Sequence, residues 1–217
     1  MFLGHLALGL AAKRSAPRVN LATLFAAAQF PDLLWPVLVG LGIERVEIAP
    51  GITAFTPLDF VSYPWSHSLL MIVVWGVLFA AVHRVRTRNQ GATLILAMLV
   101  ISHWILDYVS HRPDMPIVPG GARYGLGLWQ SVPLTIATEV VLFASGLFVY
   151  MQTTRPRTPR GTWAFSSLTF IVTLAFFANV MSTPPSVTAI WSGAIAGALL
   201  LLAWAAWADR HRVPVQP

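Results

Sequence analysis

Five long apolar segments decide what this chain can fold into. A helix that crosses a lipid bilayer needs about 20 predominantly apolar residues. Five segments reach that length with almost no charge: Ser66 to His83, Ala92 to Ser110, Ser131 to Met151, Trp163 to Met181 and Thr188 to Trp207. Only 10% of all residues are charged, whereas a soluble domain carries about 25%. The sequence therefore predicts an all-α, polytopic helical membrane protein.

Two further apolar segments are irregular. Leu21 to Gly42 is long enough to cross, but Pro31 and Pro36 predict that its middle is kinked or unwound. Phe2 to Ala12 is too short to cross alone, which predicts a half-span or a re-entrant helix. The longest connection, residues 43–65, is too short for a soluble domain. We therefore expect one integral-membrane domain with six full spans and a short N-terminal half-span.

The basic residues predict an orientation for this bundle. Eleven of the 14 Lys and Arg residues lie on every second connection, and only Arg45, Arg112 and Arg123 lie on the others. Cytoplasmic connections are rich in Lys and Arg, so we expect the N-terminus outside and the C-terminus in the cytoplasm. The expected location is the plasma (inner) membrane, with several passes. The positions of the basic residues relative to the spans thus account for the net charge of +6, so no nucleic-acid partner is expected. The sequence leaves the oligomeric state open.

Six ionisable residues lie inside or beside the apolar segments. A charged side chain at the centre of a bilayer costs about 2.5–3.5 kcal/mol unless it finds a partner. Five of the six fall in the outer halves of their segments and one lies deeper, near the middle. They are His5, Asp32 (the deeper one), His67, His103, Asp107 and Glu139. A lone His at the end of a span is commonly an interfacial or capping residue, whereas six such groups on one side predict a site.

The stretch ISHWILDYVSHRPDMP concentrates several of these groups. On a helix, Asp107 and His111 follow His103 at about 40° and 80°, so the three share one narrow stripe. Pro113 disfavours helical geometry in the residue before it. We therefore expect the helix to stop there, with His111 in or just after its last turn and Asp114 in the loop.

Histidine and carboxylate groups without a thiol indicate a divalent metal. The chain contains no cysteine, so any metal must be held by His, Asp or Glu. This ligand set suits zinc, manganese or iron, and zinc is the expected ion. The candidate ligands suffice for one metal with spare groups, or for two metals that share a carboxylate. They are His5, Asp32, His67, His103 and Asp107.

Other polar residues near these candidates are expected to play no part in the site. Ser66 precedes His67, but adjacent residues point to different faces of a helix, which disfavours a serine nucleophile. Glu44, Glu47 and Asp59 fall in the outer loop and are expected to be solvated.

The order of five motifs resembles that of a known family. The motifs are GHLALG, FPDLLW, WSHSLLM, SHWILDYVSHRPDMPIVPG and YGLGLW. They make the chain similar to the membrane-bound metal-dependent hydrolases of the YdjM-like family. The resemblance covers residues 1–150 of the single domain 1–217, and residues 151–217 form two additional spans. Members often carry a basic residue and a Thr before the third-segment His, where this chain reads SYPWSHS.

The resemblance implies an integral-membrane hydrolase that depends on a divalent metal. By position, it implies that the five candidate ligands above are the metal or catalytic residues. Asp32 and His67 are expected to be catalytic, with Asp32 acting as a further ligand or as a general base toward water. Secondary candidates are His111, Asp114 and Glu139.

A site at membrane depth favours a lipid or lipid-linked phosphoester as the substrate, on the outer side of the membrane. Arg112 and Arg123 are expected either to contact its phosphate or to anchor the interface. Two alternatives stay open. The protein is an ion or metal transporter or metal-binding membrane protein if polar groups continue into the cytoplasmic half. It is a non-catalytic structural membrane protein if the polar cluster only orders its helices.

Overall fold

The chain folds into a bundle of helices with three small sheets in its connections. Nine helices form within residues 1–88 and 90–215, which the computed structural model describes. They are α1 (Leu3–Ala11), α2 (Leu21–Ala28), α3 (Phe30–Gly40), α4 (Pro64–His67), α5 (Leu69–Thr87), α6 (Thr93–Ser110), α7 (Val132–Thr153), α8 (Pro159–Met181) and α9 (Val187–Arg210). Each sheet is an antiparallel pair: β1 (Arg45–Ile48) with β2 (Leu58–Ser62), β3 (Met115–Pro116) with β4 (Arg123–Tyr124), and β5 (Thr154–Pro156) with β6 (Arg212–Pro214).

The long helices have the length and composition of membrane spans. Among the described residues, α5, α6, α7, α8 and α9 are each long and apolar enough to cross a membrane. The pair α2 and α3 is a sixth candidate, bent by 61°. The break falls at Gln29, just before Pro31, whose ring has no N–H to continue the helix. The all-α polytopic membrane fold and the predicted break in this segment are thereby confirmed.

The short helix α1 lies inside the bundle against α7. Its Leu6 is fully buried and Leu3 and Leu10 are nearly so. Gly146 of α7 allows the close approach, because a Cβ at that position would lie 2.6 Å from the carbonyl oxygen of Ala7. At the start of α1 the Glu139 carboxylate accepts hydrogen bonds from the first backbone N–H groups. Protein therefore covers a helix too short to cross a bilayer, as the sequence predicts.

The helix α6 ends where the sequence predicts. Its last residue is Ser110, and His111 adopts an extended conformation with ψ 151°. Pro113 follows two residues later and disfavours helical geometry at the residue before it. The chain then leaves the bundle through β3, so that His111 and Asp114 face the end of α6 from a fixed loop.

The segment around His67 differs from the prediction. A single span was expected from Ser66, but His67 ends the separate short helix α4. Ser68 is extended, with ψ 142°, and its hydroxyl caps α5 at the Met71 N–H. A serine cap at this position ends one helix and begins the next. His67 therefore lies ahead of the membrane-crossing helix, in a turn that can aim its ring inward.

At the opposite end of the bundle, Asp209 of α9 joins three other elements. Its Oδ2 accepts from Lys13 Nζ at 2.7 Å and from the Leu21 N–H at 3.1 Å, and its Oδ1 accepts from Tyr150 OH at 3.0 Å. Lys13 is 3% exposed and also donates to the carbonyl oxygen of Val19 at 2.7 Å. This polar junction ties the turn after α1 to α2, α7 and α9.

Candidate metal centre

The carboxylate of Asp107 lies at the centre of four histidines. Its Oδ2 is 3.1 Å from His103 Nε2, 3.8 Å from His67 Nε2 and 3.9 Å from His111 Nε2, and its Oδ1 is 3.0 Å from His5 Nε2. All five side chains are buried. They come from α1, α4, α6 and the residue after α6, so separate parts of the sequence converge on one group.

Asp32 brings a second carboxylate to the same point. Its Oδ1 lies 3.5 Å from His67 Nε2 and 3.7 Å from His103 Nε2, and its side chain is 41% exposed. In a tetrahedral zinc site with bonds of about 2.1 Å, the ligand atoms lie about 3.4 Å from one another. The four distances from His67 and His103 to the two carboxylates, 3.1–3.8 Å, lie near that value. These residues could therefore hold a metal ion.

The ring of His103 is oriented by the break between α2 and α3. Its Nδ1 lies 2.9 Å from the carbonyl oxygen of Ala28, the last residue of α2, where carbonyls lack a helical partner. A carbonyl only accepts, so Nδ1 carries a proton, and in the neutral ring Nε2 presents its lone pair. Nε2 is buried without a hydrogen-bond partner in the described part of the chain. Such an orphaned lone pair, beside two carboxylates, is suited to a metal.

The ring of His67 is oriented by a serine and a buried glutamate. Its Nδ1 lies 2.7 Å from Ser66 Oγ, and Ser66 Oγ donates to Glu44 Oε2 at 2.6 Å. Glu44 also accepts from the backbone N–H groups of Trp65 and Ser66, at 2.8 and 2.9 Å. The Nδ1–H of His67 therefore donates to Ser66, and Nε2 is left for the centre.

Two expectations about this part of the chain are wrong. Glu44 is only 3% exposed rather than solvated. Ser66 does contact His67, because α4 is too short and its end too irregular for the helix-face rule to separate the two side chains. The serine hydroxyl is nevertheless engaged between His67 and Glu44, so its place is that of a support rather than a nucleophile.

The ring of His111 is oriented by Asp114 in the same manner. Its Nδ1 lies 2.9 Å from Asp114 Oδ1, which also accepts from Tyr63 OH at 2.8 Å. Burial and the neighbouring Asp114 carboxylate raise the pKa of Tyr63 well above its usual value, so the phenol remains a donor. Three histidines thus have Nδ1 held by an acceptor and Nε2 turned toward Asp107.

His5 approaches Asp107 from the other side. Its Nε2 faces Oδ1, where the Met1 ammonium also contacts the carboxylate, and its ring stacks on that of His103. Two groups of residues in the described chain could each hold an ion: His5, His103 and Asp107, or Asp32, His67 and His103. The groups share His103, and Asp107 lies against both. The spacing alone is compatible with one ion or two.

The remaining candidate residues lie around the cluster rather than in it. Glu139 accepts from the backbone N–H groups of Phe2 and Gly4, at 2.9 and 2.8 Å, and so anchors α1. Arg112 is bound by Asp114, 3.1 Å from Nε to Oδ2, and by Asp59. Arg123 is exposed and donates to the carbonyl oxygen of Val61 at 3.2 Å.

A cavity of about 210 Å³ opens onto the centre. Its floor is polar and its walls are mostly apolar, with neither candidate arginine among the lining residues. The lining residues are Met1, Phe2, Asp32, Phe55, Thr56, Leu58, Phe60, His67, Asp107, His111, Trp129, Glu139, Phe176, Asn179 and Val180. A molecule that enters can therefore reach both carboxylates and two of the histidines.

Comparison of the chain with protein-family models, with curated proteins and with solved structures gives no match. What the molecule can do is therefore argued from its own residues. Sequence reasoning brings together five of the residues at the centre and misses Glu44 and Tyr63. One signal was available for Ser66: its position next to a candidate histidine.

Proposed function

We propose that this protein is an integral-membrane, metal-dependent hydrolase that cleaves a lipid or lipid-linked phosphoester. One observation carries the proposal: each of three buried histidines has its Nδ1 held by an acceptor, and the three Nε2 atoms converge on Asp107. Second-layer acceptors of this kind fix the ring and tautomer of metal-binding histidines. A polar cluster that served only to hold the helices together would not need all three histidines to leave the same ring nitrogen, Nε2, free.

The ligand set favours zinc. His67, His103 and Asp107 supply two nitrogens and a carboxylate, which leaves a position open for water; Asp32 lies beside the same two histidines as a further ligand or as the general base. In this arrangement His5 orients Asp107 through its far oxygen. A zinc ion at this point would polarise an ester oxygen and lower the pKa of a neighbouring water. Manganese and iron suit the same donors.

Asp32 is the residue best placed to handle a proton. It is the most exposed of the central side chains, and it lines the cavity together with His67. A carboxylate within reach of water in the cavity can accept its proton as a general base. The Nε2 atom of His67 lies 3.5 Å from Asp32 Oδ1, so His67 faces Asp32 where such a water would bind.

The surroundings of the centre favour a lipid substrate. The site lies among the ends of helices long enough to cross a membrane, and its cavity has apolar walls. The distribution of Lys and Arg supports an orientation in which this end of the bundle faces the outer side of the plasma membrane. Below the centre, α1 and α7 meet through Leu6, Leu10 and Phe143, which are buried and apolar. These apolar side chains separate the centre from the Lys13–Asp209 junction at the other end, and an interrupted series of polar groups fits an enzyme better than a transport path.

Metal analysis of the purified protein tests the proposal. The wild type is expected to hold a stoichiometric divalent metal, and His103→Ala and Asp107→Ala are expected to lose it. His83→Ala is the matched control, because His83 lies on α5 outside the cluster, and its ring is hydrogen-bonded to Thr87 Oγ1. Lipid phosphoesters in detergent micelles are then assayed for hydrolysis. Metal-free wild type, or metal-loaded protein without turnover on any phosphoester, would contradict the proposal.

A further inference from the structure

A second cavity lies at the end of the bundle opposite the metal centre. It has a volume of about 370 Å³ and is lined by Thr158, Pro159, Arg160 and His211, where α8 begins and α9 ends. From here α8 runs roughly 24 Å to Phe176, which lines the cavity of the metal centre. Ligand sites in proteins have volumes of about 300–1,000 Å³. The proposed hydrolysis uses no residue of this second cavity.

Backbone contacts fix the walls of this cavity. The Arg157 N–H donates to the carbonyl oxygen of His211 at 2.9 Å. A Cβ at Gly161 would lie 2.3 Å from the same oxygen, so glycine lets the start of α8 pack directly against the end of α9. Arg212 of β6 donates to the hydroxyl and the carbonyl oxygen of Thr154 in β5, both at 2.9 Å. The strand pair and the two helix ends therefore hold the lining residues in place.

The surroundings of the cavity are strongly basic. Residues 151–217 contain five arginines and one acidic residue, Asp209, whose carboxylate is paired with Lys13. Four of the arginines are exposed, and none of the ion pairs within residues 1–88 and 90–215 includes them. They are Arg155, Arg157, Arg160 and Arg210. An anion in the cavity would therefore meet positive charge that no Asp or Glu side chain of the described chain pairs with.

The position of Arg160 is unfavourable until an anion binds. It is the second residue of α8, where the helix dipole opposes a positive side chain. The first turn of α8 holds no acidic residue, and the Thr158 side chain forms no capping hydrogen bond. A negative group beside Arg160 would remove this conflict.

Exposed tryptophans on both helices indicate that the anion belongs to a lipid. Trp163 is 75% exposed one turn after Arg160, and Trp207 is 44% exposed one turn before His211. Tryptophan is enriched where membrane helices meet the headgroup layer. Since α8 and α9 are both long enough to cross a membrane, the cavity lies at the depth of the headgroups. Basic pockets between such helices bind the headgroups of anionic lipids.

We propose that this cavity binds an anionic phospholipid, whose phosphate contacts Arg160 and His211 and is further attracted by Arg157. The bound lipid fixes the joined ends of α8 and α9 to the membrane surface. In the proposed orientation this end of the bundle faces the cytoplasmic leaflet, which carries anionic lipids. The site is separate from the metal centre and does not depend on it.

Binding of a short-chain lipid to the full chain tests the proposal. The dissociation constant of dioctanoyl phosphatidylglycerol is measured by titration calorimetry in an uncharged detergent. Dioctanoyl phosphatidylcholine has the same chains and no net charge, and it is expected to bind at least about tenfold more weakly. Glycerol 3-phosphate is the free anion and is expected not to displace the lipid. Displacement at the affinity of the lipid would show that a soluble anion suffices, which contradicts a lipid site.

The double variant Arg157→Gln/Arg160→Gln removes two charges at the cavity. It is expected to bind phosphatidylglycerol at least about tenfold more weakly than the wild type. The matched control is Arg84→Gln/Arg86→Gln, which removes two exposed charges from the last turn of α5 at the same end of the bundle. The control is expected to bind within about twofold of the wild type. Glutamine at position 160 also relieves the conflict with the helix dipole, so unfolding without lipid should occur at the wild-type temperature or above.

Removal of metal with a chelator distinguishes this site from the cavity of the metal centre, which is itself proposed to bind a lipid phosphoester. Phosphatidylglycerol is expected to bind equally well before and after the treatment. A loss of binding would place the lipid at the metal centre and contradict the proposal. Equal affinities for the two lipids, or equal weakening in the two arginine variants, would contradict it as well. None of these results depends on whether the protein hydrolyses a phosphoester.

Discussion

The imidazole rings of His5 and His103 lie face to face, with centroids 3.7 Å apart and planes 8° from parallel. Both side chains are buried, and two positively charged rings at this separation would repel each other strongly. At least one of them is therefore neutral in a stable fold. A histidine must be neutral to bind a metal. The stack therefore keeps at least one of the two rings in the neutral form that can bind a metal.

The replacement His5→Phe separates the stacking role of His5 from its contact with Asp107. Phenylalanine keeps a flat ring against His103 but removes the Nε2 contact to Asp107 Oδ1. If His5 only orients the carboxylate, the metal-to-protein ratio stays the same and the affinity falls about 10–100-fold, as for loss of a second-layer contact. Elemental analysis gives the ratio, and competition with a chelator gives the affinity. A ratio lower by one ion would instead show that His5 and Asp107 hold a second metal.

The variant Glu44→Gln tests the support of His67. The amide keeps the shape of the side chain but weakens the acceptor for Ser66 Oγ, so Ser66 and the His67 ring are held less firmly. We expect metal affinity to fall about 10–100-fold, measured by chelator competition on protein that elutes as folded. Glu47→Gln is the control, because Glu47 lies close to Glu44 in the sequence, in β1, and its side chain is 58% exposed. Equal affinities in the two variants would contradict a role for Glu44 in the centre.

The bundle and the cluster were predictable because they depend on local signals. Apolar runs of the right length indicate spans, and Pro31 and Pro113 indicate the bend and the end of α6. The spacing of His103 and Asp107 is an i, i+4 pair on one helix. Burial of ionisable groups in apolar segments then selects the central residues without knowledge of how the helices pack.

The residues that orient the histidine rings from outside the cluster were not predictable, because their positions depend on how the connection between α3 and α4 folds. Glu44 and Tyr63 flank the β1–β2 hairpin, and their contacts to Ser66, His111 and Asp114 arise only after it closes over the bundle. No periodicity marks either residue. The separate turn at α4 did have a signal: Pro64 at a helix start and Ser68 as a cap before a long apolar run.

Stability is expected to depend on the junction at the other end of the bundle. Lys13→Met removes the positive partner of Asp209 and leaves a carboxylate that is 9% exposed with fewer donors. Breaking a buried ion pair on one side costs about 3–5 kcal/mol, so thermal unfolding in detergent should shift to a clearly lower temperature. Arg45→Met is the control, since its pair with Glu47 is exposed and such pairs contribute about 0–1 kcal/mol. Similar unfolding temperatures for the two variants would contradict this role of Lys13.

The variant Gly125→Ala tests whether the YGLGLW segment must lie against the end of α6. A Cβ at Gly125 would lie 2.2 Å from the carbonyl oxygen of Arg112 and 2.5 Å from that of His111. Both neighbours are backbone, so the methyl group can be accommodated only by moving the chain that orients His111. We expect a lower unfolding temperature and weaker metal binding, both measured on the same preparation.

Gly193→Ala provides the matched control for that experiment. Gly193 lies in α9, where a Cβ would meet nothing within 4 Å. Alanine is favoured over glycine in a helix interior by about 1 kcal/mol, so this variant should unfold at the same or a higher temperature with unchanged metal affinity. If Gly125→Ala behaved like Gly193→Ala, the segment would not hold His111 in place. The link between the YGLGLW motif and the metal centre would then be wrong.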